Sequence, residues 1–443
     1  MQHKIRLTLL ILIAANVVIW AQGVSQTPYS QFGIGDLEYQ GNMRQHGMGG
    51  VGVSMPNRFY SNLINPALLA YNRTHVIFDA GFYGQSDIIR SQTQSQRIVS
   101  GNVNYLSILF PISTRNWTIS VGLNPYSNAN TRFTNTRDSI ASYKFPLGTY
   151  DSTDIKYHVI SEGGLNQVFM SHGIKLPKGF SIGISINYIF GGIIRTTRIQ
   201  PKLLGQSTQT QIVSKEQYRL LEFKPGIAYF KQLSEKYSLN IGATATFNTD
   251  IGSTRNLVNS IVREQRLAEN SYVYVPIYAD TLPLEIKKVS LPSQYKIGVS
   301  FDKSNHWNVA LDYTFGDYRN YVGYERTNVF SNSSHRINIG AEYVPNYFVP
   351  DNSFKSQIQR YMYRIGGYYY LMPLQLNGVQ IQEMAATIGL GMPFGKGGYT
   401  SLNLALMVGQ KGTLDNGLVQ ENFVRFFVGL TINDRWFIRY KLD

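Results

Sequence analysis

The 443-residue chain has no cysteine, which excludes disulfide frameworks, cysteine nucleophiles and thiolate metal sites. Charge is scarce as well. Asp, Glu, Lys and Arg make up 15% of the residues, against about 25% in an average soluble domain. Length alone would suggest about three such domains, but their surfaces would lack the charge that keeps proteins in water. Beyond the N-terminus there is no long apolar run, so no later segment can cross a bilayer as a helix. The mean hydropathy of −0.17 excludes only a helical membrane protein. A transmembrane barrel alternates apolar and polar residues and averages to near neutral.

What the chain does have is 40 glycines, 31 tyrosines and 23 phenylalanines. It is too apolar for disorder and too rich in glycine for a helical bundle. At the start, Lys4 and Arg6 precede an apolar run from Leu9 to Trp20, and Ala21 follows. This is the pattern of a secretory signal peptide over residues 1–21, cleaved near Ala21 or Gly23. Asn16 interrupts the run, which is too short for a spanning helix, and no cysteine follows to make a lipoprotein. Losing Lys4 and Arg6 lowers the formal net charge from +14 to +12.

Period-2 alternation dominates the rest. Phe180, Ile182, Ile184, Ile186, Tyr188 and Phe190 share one face, and Ser181, Gly183, Ser185 and Asn187 the other. Trp307–Phe315, Tyr237–Phe247 and Ser401–Gly409 repeat the pattern. A soluble sheet with one buried face would alternate too. Here, however, aromatics such as Trp117, Phe180, Trp307 and Phe315 cluster at segment ends, as interfacial girdles do. The second face is small and polar with isolated charges, among them Lys296, Asp312, Arg336, Glu342, Arg364, Glu383 and Arg425. The greasy face is too continuous to meet water.

The pattern predicts an all-β fold, a transmembrane antiparallel barrel of about 14 strands. They fall at 74–84, 101–112, 116–126, 159–176, 179–192, 217–232, 236–249, 289–302, 305–317, 333–346, 359–373, 379–394, 398–411 and 420–432. Tight connections at Ser113–Arg115, Pro177–Lys178, Leu233–Glu235, Lys303–Ser304 and Gly395–Gly397 alternate with long ones at 85–100, 127–158, 193–216, 250–288 and 318–332. Short periplasmic turns and long outer loops alternate in this way; the exception is a longer inner turn at 347–358. An even strand number leaves both ends of the barrel chain in the periplasm. Residues 22–73, polar and glycine-rich without alternation, precede the first strand. They are expected to start on the periplasmic side and to fold inside the barrel of 74–443, where they would close the lumen as a hatch.

Gly47-Met48-Gly49-Gly50-Val51-Gly52 matches G-x-G-x-x-G literally, yet Pro56 opposes a following helix and position 72 is Asn rather than an acid, so no dinucleotide site is expected. The seven histidines show no ligand spacing, and no metal or other cofactor is expected. Ser171-His172 and Ser334-His335 are neighbours on strands and point to opposite faces, so no catalytic pair forms and the chain reads as a non-enzyme. The basic residues are scattered, with Lys287-Lys288 the only adjacent pair. That argues for contact with outer-membrane lipid and lipopolysaccharide phosphates rather than nucleic acid. Pro125 gives no ladder hydrogen bond. It marks either the end of the third strand or a break that opens the wall sideways.

Together, Gly47–Gly52 and Asn65-Pro66-Ala67-Leu68-Leu69 resemble the N-terminal hatch of the FadL-like outer-membrane transport proteins. Val121–Tyr126 is similar to that family's kinked third strand, and fourteen is its strand number. The ending Glu421-Asn422-Phe423 with Asn433-Asp434-Arg435-Trp436-Phe437 resembles the Bacteroidota branch, which includes PorV-type subunits of type IX secretion. The family usually has Gly after Asn-Pro-Ala, where this chain has Leu68.

The resemblance implies passive uptake of small hydrophobic molecules, fatty-acid-like or aromatic, through the cell outer membrane, with sideways exit into the bilayer. Gly47, Gly49, Gly50, Asn65, Pro66 and Ala67 would form the hatch and gate. Gly122, Asn124 and Pro125 would shape the lateral opening. Arg336, Glu342, Arg364 and Glu383 would supply lumen charge, binding a carboxylate head or pairing with one another. The alternative is a non-transporting subunit or shuttle of a secretion or envelope-assembly complex, with a partner in that machinery. A water-filled porin is disfavoured by the hatch-like segment.

Overall fold

The structure, a computed structural model, describes residues 27–139, 153–201, 208–247, 249–268, 271–324, 329–347, 354–394 and 400–435. The expected signal peptide, the Gly395–Gly397 turn and the end of the C-terminal tail lie outside the described residues.

Strands in chain order are β1 (Asp36–Leu37), β2 (His75–Arg90), β3 (Ser95–Ser113), β4 (Trp117–Asn128), β5 (Thr131–Ser139), β6 (Thr153–Lys175), β7 (Phe180–Pro201), β8 (Thr208–Gln232), β9 (Tyr237–Thr246), β10 (Thr249–Ala268), β11 (Ser271–Thr281), β12 (Glu285–Leu291), β13 (Ser293–Lys303), β14 (Trp307–Asp317), β15 (Ser333–Tyr343), β16 (Met362–Leu376), β17 (Val379–Phe394), β18 (Thr400–Gly412) and β19 (Gln420–Arg435). Fourteen of them make a closed antiparallel barrel: β2, β3, β4, β6–β9 and β13–β19. The last pairs with the first from Gln420↔Arg90 to Arg435↔His75. Closure removes the free edges that an open sheet would expose. Each of the fourteen overlaps one of the strands anticipated from alternation.

The alternation sets the two faces. Phe82, Ile184, Leu311 and Ile388 point outward and are 40–57% exposed, while Ser185, Asn187, Asp312 and Asn403 point inward and are buried. Rings bracket the outward band: Tyr237 stacks on Phe301 at 5.8 Å at one end, and Tyr295 on Phe315 at 6.4 Å at the other. Trp307 and Phe315 are eight residues apart on β14, about 26 Å along the strand.

The long connections differ from expectation. Residues 85–100 are strand, joined by a turn at 91–94, and the 127–158 and 250–288 stretches contain β5 and β10–β12. There the ladder continues beyond the apolar band. The alternation faded with the apolar face, while the pairing did not. The Asn377-Gly378 turn is also tight, both residues having positive φ (50° and 79°). The longer inner turn ends in a short helix, Phe354–Gln359.

Residues 27–73 run inside the barrel. Their direction is fixed by a contact at each end of the barrel. Thr27 hydrogen-bonds Glu421 at the start of β19, the far end from where β2 begins, and the segment then descends to Asn72, whose carbonyl accepts from Thr118 at the opposite end (2.6 Å).

Candidate functional site

The lumen is built by the wall strands and the internal segment together. Met43–His46 form one helical turn, α1, capped reciprocally by Asn42 and Gln45, which satisfies amides that would otherwise be orphaned. The glycine motif follows. Gly49 and Gly50 have φ of +67° and +85°, the left-handed region that only glycine occupies cheaply. A Cβ on Gly49 would meet the Gly367 nitrogen at 2.4 Å, and one on the wall residue Gly366 would meet the Met48 carbon at 2.3 Å. The motif is thus a close approach of two backbones. Thr387 accepts from the Gly49 amide (2.8 Å), and Asp312 accepts from the amides of Gly52 (2.6 Å) and Val53 (2.9 Å).

Asn65-Pro66-Ala67 opens a 3-10 turn, Pro66–Tyr71. The Asn65 side chain accepts from the Ala67 amide (3.0 Å) and donates to the carbonyls of Val53 (2.7 Å) and Ile227 (3.2 Å). The turn rests on wall glycines 173, 183 and 226, where added Cβ atoms would lie 2.3–2.7 Å from it. Leu68 is buried beside Ala67 and Ala228, and its φ is not positive, so the position has no need of glycine.

The lumen charges are shared with the internal segment. Glu342 accepts from Arg364 Nε (2.7 Å) and, through both oxygens, from Arg44 (2.9 Å each). Bidentate pairing of this kind is strong and geometrically specific. Arg44 was not anticipated; its partner lies 298 residues away, and no local spacing announces it. Glu383 accepts from the Tyr368 hydroxyl. Arg336 sits between the rings of Tyr368 (3.9 Å) and Tyr39 (4.1 Å). Two further ties also escaped sequence reasoning: Asp36 with Lys411, and Arg195, which pairs with Glu216 and donates to the Gly33 carbonyl.

Two cavities lie inside the barrel among the described residues. The larger, about 120 Å³, is lined by Tyr39, Tyr83, Arg336, Tyr370, Arg425 and Phe427 among others. The smaller, about 10 Å³, is lined by Asn124, Pro125, Phe169 and Lys224, and both touch Glu38, Tyr39, Tyr83 and Asn104. The smaller has room for about one water.

The wall is interrupted beside it. β3 and β4 pair from Ser113↔Trp117 only to Leu106↔Leu123. Beyond that point β3 pairs with β2 alone among the described residues. β4 instead takes the internal strand β1, with Asp36↔Asn128 and Leu37↔Ser127, and shifts register against β6 between Pro125 and Ser127. Gly122 marks the last close approach: a Cβ there would lie 2.5 Å from the Leu106 carbonyl. The Asn124 side chain donates to the Pro125 carbonyl (3.0 Å). Gly122, Asn124 and Pro125 therefore sit together where the ladder parts.

The serine–histidine neighbours diverge. Ser171 bonds Ser185 inside (2.7 Å), and His172 stacks on Trp117 outside. No group of three His, Asp or Glu side chains suited to a metal occurs among the described residues.

Solved structures share the fold. The monoaromatic hydrocarbon channel CymD aligns with a TM-score of 0.56 at 12% identity, covering 91% of this chain and 99% of its own. The toluene transporter TodX of Pseudomonas putida gives 0.56 at 14%, with the same coverage. A FadL homologue of Pseudomonas aeruginosa gives 0.57 at 10%, covering 90% and 99%. No curated protein matches the chain in sequence. The BamG family model matches residues 1–443, and the chain belongs to that family.

Proposed function

We propose that the protein sits in the outer membrane, long strands outward, and passes small hydrophobic molecules from outside into the bilayer. The observation that carries this is the parting of β3 from β4 at Leu106↔Leu123, beside a cavity that continues into the aromatic lumen. The apolar outward band supplies a surface for lipid, and the neighbouring folds named above include a hydrocarbon channel and a toluene transporter. A solute enters the 120 Å³ cavity, passes Tyr39 and Tyr83, and leaves at Pro125. The internal segment is the hatch. The narrow second cavity means that residues 36–41 must move aside to let a solute out, while Gly47, Gly49, Gly50, Asn65, Pro66 and Ala67 hold the rest in place. No energy source or covalent step is needed. Toluene uptake into proteoliposomes tests the reading: the full chain should raise the rate at least tenfold over protein-free vesicles, and an unchanged rate would refute it.

A second reading, a non-transporting subunit or shuttle of an envelope-assembly or secretion complex of the PorV type, is favoured by how firmly the segment is tied. Arg44–Glu342–Arg364 and the Asp312 bonds oppose wholesale movement. Purification in mild detergent distinguishes the two, since the subunit reading requires a stoichiometric protein partner and the channel reading a lone barrel.

A further inference from the structure

Above the apolar band, β8, β10 and β12 form a ladder whose outward face carries cations. Arg219 on β8 pairs with Gly252 on β10, and Gly252 pairs on its other side with Lys288 on β12. The three positions make one cross-strand row, with the two cations about 10 Å apart at their Cα atoms. Between them stands a residue with no side chain, and a Cβ built on Gly252 has nothing within 4 Å. The row is therefore a notch open to the outside and flanked by positive charge. Lys288 pairs with Asp250 at 3.9 Å, with both side chains more than half exposed. Such a pair is weak and leaves the ammonium available.

Directly below Gly252 on the same face stands Asp250, beside Lys288; on β8 the face below the notch is apolar. Leu221 and Phe223 follow Arg219 on the same face. An outward groove of about 490 Å³ then opens at Pro225, walled by Ile227, Ile297, Tyr295 and Phe315 and floored by Ala243 and Ala245. Pro225 lies six positions on from Arg219, about 20 Å of strand. An anionic head and an acyl chain are the two halves of one molecule that fit a cationic notch standing over an apolar groove at a membrane boundary.

We propose that this face binds a phosphorylated lipid of the outer leaflet, of the lipid A class, with phosphate between Arg219 and Lys288 and an acyl chain in the groove. The inference rests on the outward orientation given above, and the site is separate from the lumen. Isolated surface cations would bind phosphate without regard to the chain, whereas this arrangement demands both parts.

The test is native mass spectrometry of the full chain in non-ionic detergent, titrated with diphosphoryl lipid A and, separately, with inorganic phosphate. Wild type should retain one lipid A and no phosphate. R219E/K288E should lose at least tenfold in lipid A occupancy, and Ala245→Trp, which fills the groove and keeps both cations, at least threefold. Resistance to unfolding in cold dodecyl sulfate shows that each variant is a folded barrel. Wild type without bound lipid A, R219E/K288E binding like wild type, or saturation by phosphate alone would overturn the proposal. Ala245→Trp binding like wild type would overturn the seating of the chain in the groove. Toluene uptake by R219E/K288E should equal that of wild type, so failure of the lipid site and failure of the channel reading are told apart.

Discussion

Single residues hold the internal segment in two ways, by the absence of a side chain and by shared charge. Gly49 shows the first. Alanine there combines a left-handed φ of +67°, costing about 1–2 kcal/mol, with a Cβ 2.4 Å from the Gly367 nitrogen. Gly49→Ala is expected to loosen the segment, seen as a lower melting temperature and faster proteolysis within residues 40–60. Glu342 shows the second. Glu342→Gln leaves the Arg44 and Arg364 charges uncompensated inside the lumen, a loss of about 3–5 kcal/mol for a broken buried pair. Trypsin cleavage at Arg44 should rise by roughly two to three orders of magnitude; an unchanged rate would mean that the ion triad does not hold the segment. The glycine motif was visible in the sequence, but its purpose was not, because Gly340, Gly366 and Gly367 lie some 300 residues downstream and only the fold brings them to it. Arg364 and Glu342 were legible as inward charges from strand parity. Arg44 was not, since it belongs to a segment without period.

At the level of elements, the barrel strands were legible wherever one face met the apolar band and the other the lumen. Ile182–Ile186 and Val309–Tyr313 carry that signal in a few residues. β10 to β12 carry none of it, because both faces of the extension are mixed, and a two-residue strand such as β1 is too short for any period to register. Pro125 alone hinted at the parting of β3 from β4. Where β3 has lost one partner, amides of Ser95–Tyr105 that point toward β4 have no ladder partner among the described residues. They should exchange with deuterium at least tenfold faster than amides of Leu106–Ser113, since unpaired backbone opens with little free-energy cost. Uniform protection along β3 would show that the wall is sealed.

For the whole molecule, low charge and near-neutral hydropathy describe one barrel whose outside meets lipid and whose inside is filled by its own N-terminal segment. The absence of cysteine gives a clean background for locking that segment. The Glu38 amide donates to the Tyr126 carbonyl (2.9 Å), so the adjacent Leu37–Ser127 pair is a non-hydrogen-bonded one with Cα atoms about 4.5 Å apart, within disulfide range. Leu37→Cys/Ser127→Cys, oxidised, fixes β1 across the gap that the lateral route needs open. Toluene uptake into proteoliposomes by this variant tests the account most directly. Reduced, it should match wild type; oxidised, it should fall to the protein-free rate. Uptake by the oxidised form as fast as by the reduced form would contradict passage beside Pro125.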